Sequence, residues 1–179
     1  MQTKKTILRF SALALIAGQM AFHQTARADE TAVLFGLIQP ILFGGYNVEV
    51  NYRTDAWVFE YSHGWDLKIS DFEAGLTDDE KNQKLKIFAP YSTGGGVGYR
   101  FTNNFHGAIE YKIHEFEVTH AIDGTFKYTV QTLGIGLYYH WKPIKNSGFT
   151  VVPAIRYWPT IATSMKDNKK VFSTGEVHE

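Results

Sequence analysis

Between Trp57 and Lys68 the chain alternates two chemistries. Trp57, Phe59, Tyr61, Trp65 and Leu67 fall on one face, and Val58, Glu60, Ser62, Asp66 and Lys68 on the other. A period of two is the signature of a β-strand with two different sides. The same alternation predicts strands at 46–53, 91–102, 105–118, 126–141 and 149–158. In 105–118, Phe105, Ile109, Tyr111 and Ile113 oppose His106, Glu110, Lys112 and His114, and the phase slips near Glu115–Phe116, which predicts a bulge. Pro153 interrupts the sixth strand. An apolar stretch at 32–42, broken by Pro40 and turning at Gly44–Gly45, predicts one more strand ahead of these. That makes seven, with an eighth expected after a loop that begins near Thr160.

The connections between strands are unequal. Thr54-Asp55 and Asn103-Asn104 read as tight hairpin turns, asparagine tolerating the positive φ that such turns use. Lys142–Gly148 reads as a slightly longer turn, and 69–90, 119–125 and 159 onward as long loops. Short turns and long loops therefore alternate. Within 69–90, Thr77-Asp78-Asp79-Glu80 forms a capping box that predicts a short surface helix.

The start of the chain changes the picture. Lys4, Lys5 and Arg9 precede a mostly apolar run from Phe10 to Phe22, and Ala26-Arg27-Ala28 follows. A basic leader, an apolar run too short to span a bilayer as a helix, and an A-x-A site describe a cleaved signal peptide at 1–28, with one domain at 29–179. Four of the 18 basic residues leave with the leader, so 14 remain against 18 acidic ones. This mildly acidic balance argues against a nucleic-acid partner. The absence of cysteine removes disulfides, thiolate metal sites and thiol catalysis. No apolar run reaches the length of a membrane helix, whereas strands of half-apolar composition are what a membrane β-barrel uses.

Few residues point to catalysis. His114 and His120 flank Glu115-Phe116-Glu117-Val118-Thr119, but a zinc-protease box needs two histidines one helical turn apart, and six residues of strand separate these by about 20 Å. His106, His114 and His140 are expected to join a polar interior. Gly94, Gly95, Gly96 and Gly98 precede neither Gly-Lys-Ser/Thr nor a helix, so they are expected to relieve crowding rather than to cradle phosphate. Ser62 and His63 are strand neighbours facing opposite sides, a poor geometry for proton transfer. No metal and no cofactor are expected.

The most systematic polar feature is an inward-facing set: Glu49, Arg53, Glu60, Asp66, Lys68, Arg100, Glu110, Lys112 and Arg156. In a narrow barrel such mixed charges are expected to pair and fill the interior, because a lone buried charge costs several kcal/mol. Aromatics are expected at two levels. Tyr52, Trp57, Tyr99, Phe101, Phe105, Tyr139 and Trp141 lie near the tight turns, and Trp65 and Trp158 toward the opposite ends, as in the aromatic belts of two membrane interfaces.

With its leader, the stretch Y-N-V-E-V-N-Y-R-T-D-A-W-V-F-E-Y-S-H-G-W (46–65) and G-G-G-V-G-Y-R-F-T-N-N-F (94–105), the chain resembles the small eight-stranded outer-membrane β-barrels of the OmpA-transmembrane, OmpX and OmpW type. The resemblance is architectural and matches no subfamily motif. It implies an all-β, antiparallel up-and-down transmembrane barrel in the outer membrane of a Gram-negative bacterium, and no single activity. Residues 159–179 contain neither an eighth alternating strand nor a terminal aromatic, so either the last strand is missing from this chain or the count is wrong. The expected role is non-enzymatic: envelope structure or surface interaction, as a monomer in contact with outer-membrane lipid, with 69–90 and 119–125 available to an extracellular partner. The alternatives are a soluble periplasmic lipocalin-like barrel binding a small apolar ligand, and a lipid A-modifying acyl hydrolase or acyltransferase.

Overall fold

The computed structural model describes residues 19–25, 30–69, 78–144 and 147–179. Its strands are β1 (Gln19–Thr25), β2 (Glu30–Gly36), β3 (Tyr46–Arg53), β4 (Trp57–Lys68), β5 (Lys86–Arg100), β6 (Phe105–His120), β7 (Gly124–Tyr139), β8 (Phe149–Val151), β9 (Ala154–Tyr157), β10 (Thr160–Thr163), β11 (Lys170–Val171) and β12 (Val177–His178). One short helix, α1 (Asp78–Asn82), precedes β5. Among the described residues no helix is long and apolar enough to cross a membrane.

β1 to β7 form a meander in which each strand pairs antiparallel with the next. β8, β9 and β10 are successive pieces of one stretch that runs back beside β7, through Ile135↔Tyr157, Leu137↔Ile155 and Thr132↔Thr160. A bridge at Trp141↔Val151 continues this pairing past Pro153. On its other edge Phe149–Val151 pairs with β1. Both ends of the meander thus meet the same stretch of chain. β11 and β12 form a separate hairpin.

The sheet has one exposed and one buried face, and their polarity is inverted relative to a sheet that covers an apolar core. Phe59, Tyr61, Val97, Ile109, Ile135 and Leu137 are exposed, whereas Glu49, Asn51, Arg53, His106, Glu110, Lys112 and His140 are buried. Among the described residues no second layer provides this burial. Arg156 on β9 bonds Glu49 on β3, across four intervening strands in the sheet order, so the polar face curls onto itself.

Apolar packing inside this curve sits in two places. Ala32, Leu34, Ala108, Tyr138, Val152 and Ala154 cluster toward the tight-turn half. At the other end Leu85, Ile87, Val118 and Phe172 form a second cluster with Ile69, Phe116, Phe126 and Tyr128. There the β11–β12 hairpin lies across the long ends of β5, β6 and β7. Phe172 stacks on His120 at 4.2 Å between ring centres, His178 bonds the Tyr128 hydroxyl at 2.9 Å, and Gln83 donates to the Val177 carbonyl at 3.1 Å.

The predicted strands at 46–53 and 57–68 have those bounds, and the others differ in instructive ways. The apolar stretch 32–42 is a strand only to Gly36; Gln39–Phe43 coils into a π-helical turn with Pro40 in its first turn, closed by Gly44 at φ 63°. No bulge interrupts β6 at Glu115–Phe116, where pairing with β7 is continuous. The inward face instead changes from polar to apolar where Phe116 and Val118 meet the second cluster, and the extra residue lies in β5 around Pro90. The expected long loop at 119–125 is a tight turn joining His120↔Gly124. Residues 159 onward continue as β10 and then the β11–β12 hairpin. Asn103 and Asn104 do not adopt positive φ, because the Arg100↔His106 connection is long enough to close without it. The helix expected after the capping box is present as α1, and Thr77 lies outside the described residues. The eighth sheet position, expected after Thr160, is held by β1 from within the predicted leader.

Phe172 is the one aromatic of the hairpin that enters the second cluster. Phe172→Ala should weaken the docking of residues 170–178 by about 3–5 kcal/mol, the usual range for deleting a buried phenyl ring. Hydrogen exchange should show faster amides in that hairpin with β3 and β4 unchanged.

Candidate functional site: a buried polar network

The densest chemistry lies on the buried face of the curved sheet. β6 supplies Glu110 and Lys112 at a spacing of two, so both point inward. Glu110 is fully buried and has three partners. The Tyr138 hydroxyl donates to one carboxylate oxygen, Trp158 Nε1 donates to the other at 3.1 Å, and Lys112 Nζ lies 3.7 Å away. Lys112 also donates to Ser62 Oγ on β4 and sits 4.7 Å above the Trp158 ring. Arg156 bonds Glu49 at 2.9 Å while its guanidinium lies 4.7 Å from the Tyr138 ring. Ionic and aromatic partners therefore alternate around one space, which is how cations desolvated in a narrow interior keep favourable neighbours.

Two glycines make that space. A Cβ at Gly96 would stand 2.6 Å from Glu60 Oε1 and 2.8 Å from the Ile109 carbonyl. A Cβ at Gly136 would stand 2.5 Å from Glu110 Oε1. In the β5 run Gly96 thus relieves an inward carboxylate, while Gly94 and Gly98 let the β6 backbone approach closely.

A second arm reaches the tight turns. His106 Nδ1 and His140 Nε2 are 3.1 Å apart, and His140 Nδ1 lies 3.5 Å from Arg53 Nη1. A guanidinium can only donate. Arg53 is therefore the donor where it meets His140 Nδ1, and His140 and His106 share one proton between their facing nitrogens. Arg53 also meets Glu30 at 3.2 Å and the Asn103 carbonyl at 3.1 Å, which ties the network to the turns.

Most of the predicted inward set comes together here. Glu49, Arg53, Glu110, Lys112 and Arg156 are buried partners, and Glu60 faces the same space with its Oε2 buried and unbonded. Asp66 and Lys68 do not join them: both are exposed. Asp66 takes φ 57° and has no partner on β5, so the alternation is lost at that end of β4. Arg100 is half-buried and bonds the Thr54 and Asn103 carbonyls, fastening turns rather than joining the central charges. Of the predicted aromatic belt, Tyr52, Trp57, Tyr99, Phe101, Tyr139 and Trp141 are exposed, and Phe105 and Trp65 are half-buried on the same face. Trp158 is not a belt residue. It shares the inward phase of Arg156 and bonds Glu110, a role its alternation with Tyr157 foreshadows.

The histidines divide as their strand phase requires. His106 and His140 are buried in the network, and His114 is half-buried nearby. His63 stacks on Trp65 and Tyr91 on the exposed face, away from Ser62. One contact was not legible in the sequence: His114 Nδ1 lies 2.8 Å from Ser92 Oγ. A serine–histidine pair can activate a nucleophile, but the other ring nitrogen faces the Thr132 hydroxyl at 3.2 Å, so no carboxylate steadies an imidazolium. Among the described residues no three His, Cys, Asp or Glu groups are placed to hold a metal ion. No family model, curated protein or solved structure matches this chain.

Removing the Glu110 carboxylate would strand Lys112, Tyr138 and Trp158 together. Glu110→Ala is expected to destabilise the fold by about 3–5 kcal/mol, the cost of breaking a buried pair from one side. Asp66→Asn, on the exposed end of β4, keeps a residue that tolerates φ 57° and should stay within about 0.5 kcal/mol. Denaturant midpoints of the two variants measure the contrast.

Proposed function

We propose that the chain is a small outer-membrane β-barrel with a side-chain-filled polar lumen and a non-enzymatic role in envelope structure or surface interaction. The observation that carries this reading is the inverted polarity of the sheet. Its exposed face bears Phe59, Tyr61, Val97, Ile109, Ile135 and Leu137, and its buried face holds the Glu110 network. Water would not tolerate so continuous an apolar exterior on a monomer, whereas lipid requires it. Closure of the sheet is supported by the stretch 149–163, which pairs with β7 on one edge and with β1 on the other. A bilayer leaves no open strand edge unpaired.

Two further features fit. β4 has twelve residues, and about 9–11 suffice for a tilted strand to cross a bilayer. A cut after Ala28 would start the mature chain at the foot of β2, beside Arg53 and the tight turns, which is the periplasmic side of such a barrel. The outer end then carries α1 and the β11–β12 hairpin, and these, with the 119–125 turn, offer the surface for a partner. A lipocalin-like reading asks for an apolar interior and meets Glu49, Arg53, Glu110 and Lys112 instead. A lipid-modifying enzyme acting through Ser92 and His114 would lack an acid to orient the imidazole.

Heat modifiability tests the closed barrel. Protein extracted from outer membranes should migrate faster in detergent gels unboiled than boiled, and identical migration would defeat the reading.

A pair of lysine substitutions tests the lipid contact. Ile135 is 61% exposed in mid-strand and Ile122 is 72% exposed in the outer turn. In water both changes would be mild. In lipid, Ile135→Lys should cost about 2–4 kcal/mol and Ile122→Lys about 0–1. Equal effects on refolding into vesicles would return the exposed face to water.

A further inference from the structure

We infer that the folded chain takes up one small univalent cation between Glu60 and Asn51, which completes the charge balance of its polar interior. Uptake depends on the buried network alone and goes beyond the envelope role proposed above. Three carboxylates face the central space: Glu49 on β3, Glu60 on β4 and Glu110 on β6. Two cations answer them, and each is engaged by a carboxylate other than Glu60. Arg156 bonds Glu49 at 2.9 Å, and Lys112 lies 3.7 Å from Glu110 while donating to Ser62 Oγ. Arg53 belongs to the arm near the tight turns, with His106 and His140, and meets Glu30 at 3.2 Å. Tyr138 on β7 donates its hydroxyl proton to Glu110. Among the described residues one negative charge, that of Glu60, is left without an ion pair.

The amide beside it is in the same position. Asn51 is 1% exposed, and its Oδ1 is buried with no hydrogen-bond partner, as is Glu60 Oε2. Register makes the two residues direct antiparallel partners. Such partners carry their Cβ atoms on one face, about 4.5–5.5 Å apart, so carboxylate and amide share one small space. An amide oxygen and an ionised carboxylate can only accept hydrogen bonds. Two buried acceptors side by side repel, and each is costly to leave unsatisfied. Gly96, the partner of Glu60 on the other side, keeps β5 side chains out of the space: a Cβ there would stand 2.6 Å from Glu60 Oε1.

What satisfies both oxygens is a small positive charge of one unit, since one unit is what the balance lacks. Carbonyl and carboxylate oxygens suit hard cations rather than soft metals. A divalent ion would over-neutralise a space that already holds Lys112 and Arg156, and the larger ones call for about six or more oxygens. An alkali ion and a proton share the required chemistry. Either bridges Glu60 Oε2 and Asn51 Oδ1, the proton by letting the carboxyl group donate to the amide oxygen.

The test measures the unfolding equilibrium of the full chain in non-ionic detergent, for the wild type and for Glu60→Gln. One series exchanges sodium for choline, which is too large for the space, at constant ionic strength and pH. The other varies pH across the neutral range at constant sodium. Uptake of one cation should change the wild-type folding constant by up to about tenfold for each tenfold change in that cation. A sodium response identifies an alkali ion. A pH response in which stability falls as the pH rises identifies a proton, held by the folded chain and released by the unfolded one. Glu60→Gln keeps the shape of the side chain and removes its charge, so it should lose whichever response the wild type shows. Equal responses in the two proteins overturn the proposal. So does a wild type that responds to neither cation, the result expected if the Asn51 amide presents its nitrogen to Glu60. Should Glu60→Gln fail to fold, Asn51→Ala takes its place: it removes the amide oxygen and should shift the response to higher cation concentration, and an unshifted response overturns the site.

Discussion

A carboxylate with no access to water organises this molecule. Glu110 is held by Tyr138, Trp158 and Lys112, which come from β7, from the stretch after β9 and from its own strand. Each partner must reach one point inside a curved sheet, so the curvature, the register of β6 on β7 and the inward turn of Trp158 are all tied to the need to neutralise and bond that group. The Arg156–Glu49 pair adds the same requirement between β9 and β3, which four strands separate in the sheet order. Burial of charge is seldom a source of stability in itself. Its effect here is specificity: a one-residue slip of any inner strand would turn its member of the network to the wrong face.

The glycines and the aromatics are two answers to the same geometry. Inside, Gly96 and Gly136 give room to Glu60 and Glu110, because a side chain there would collide with a carboxylate. Outside, large rings pack edge to face along the rim, as Trp57 does on Tyr99 and Tyr99 on Phe101. Narrowness on the inner face and breadth on the outer face are what a strongly curved sheet imposes on its residues.

The end that carries the β11–β12 hairpin obeys a different rule. Beyond the polar network the inner face of β5–β7 becomes apolar, and the β11–β12 hairpin covers it. Its histidines are tied into this cover: His120 faces Asp123 at 3.4 Å and Glu176 at 3.1 Å, and His178 faces Glu80 at 3.2 Å. Hydrogen bonds from Ser173 hold the Asp123 carboxyl below its ordinary range, and those from Thr174 and His120 do the same for Glu176. Both groups therefore stay charged through neutral and mildly acidic conditions and lose that contribution only as the pH falls through their lowered values.

Strand periodicity is local, and it was readable wherever one face was uniform: 46–53 and 57–68 have the bounds that alternation predicts. The inward set was readable for the same reason, since Glu49, Glu110 and Lys112 sit in unbroken period-two runs. What alternation could not supply were features set by distant chain. Asp66 and Lys68 keep the phase in sequence but lose it in space, because a left-handed residue breaks the pairing there. The apparent slip at Glu115–Phe116 is a change of neighbour, polar network below and Phe172 above, which no window around those residues contains. The Ser92–His114 contact and the meeting of Glu49 with Arg156, 107 residues apart in sequence, arise only when strands are laid side by side and curled. Sequence determined which residues could face inward, because side-chain direction in a strand follows from backbone geometry alone. Tertiary structure decided which of them meet, because that depends on register and curvature summed over the whole sheet.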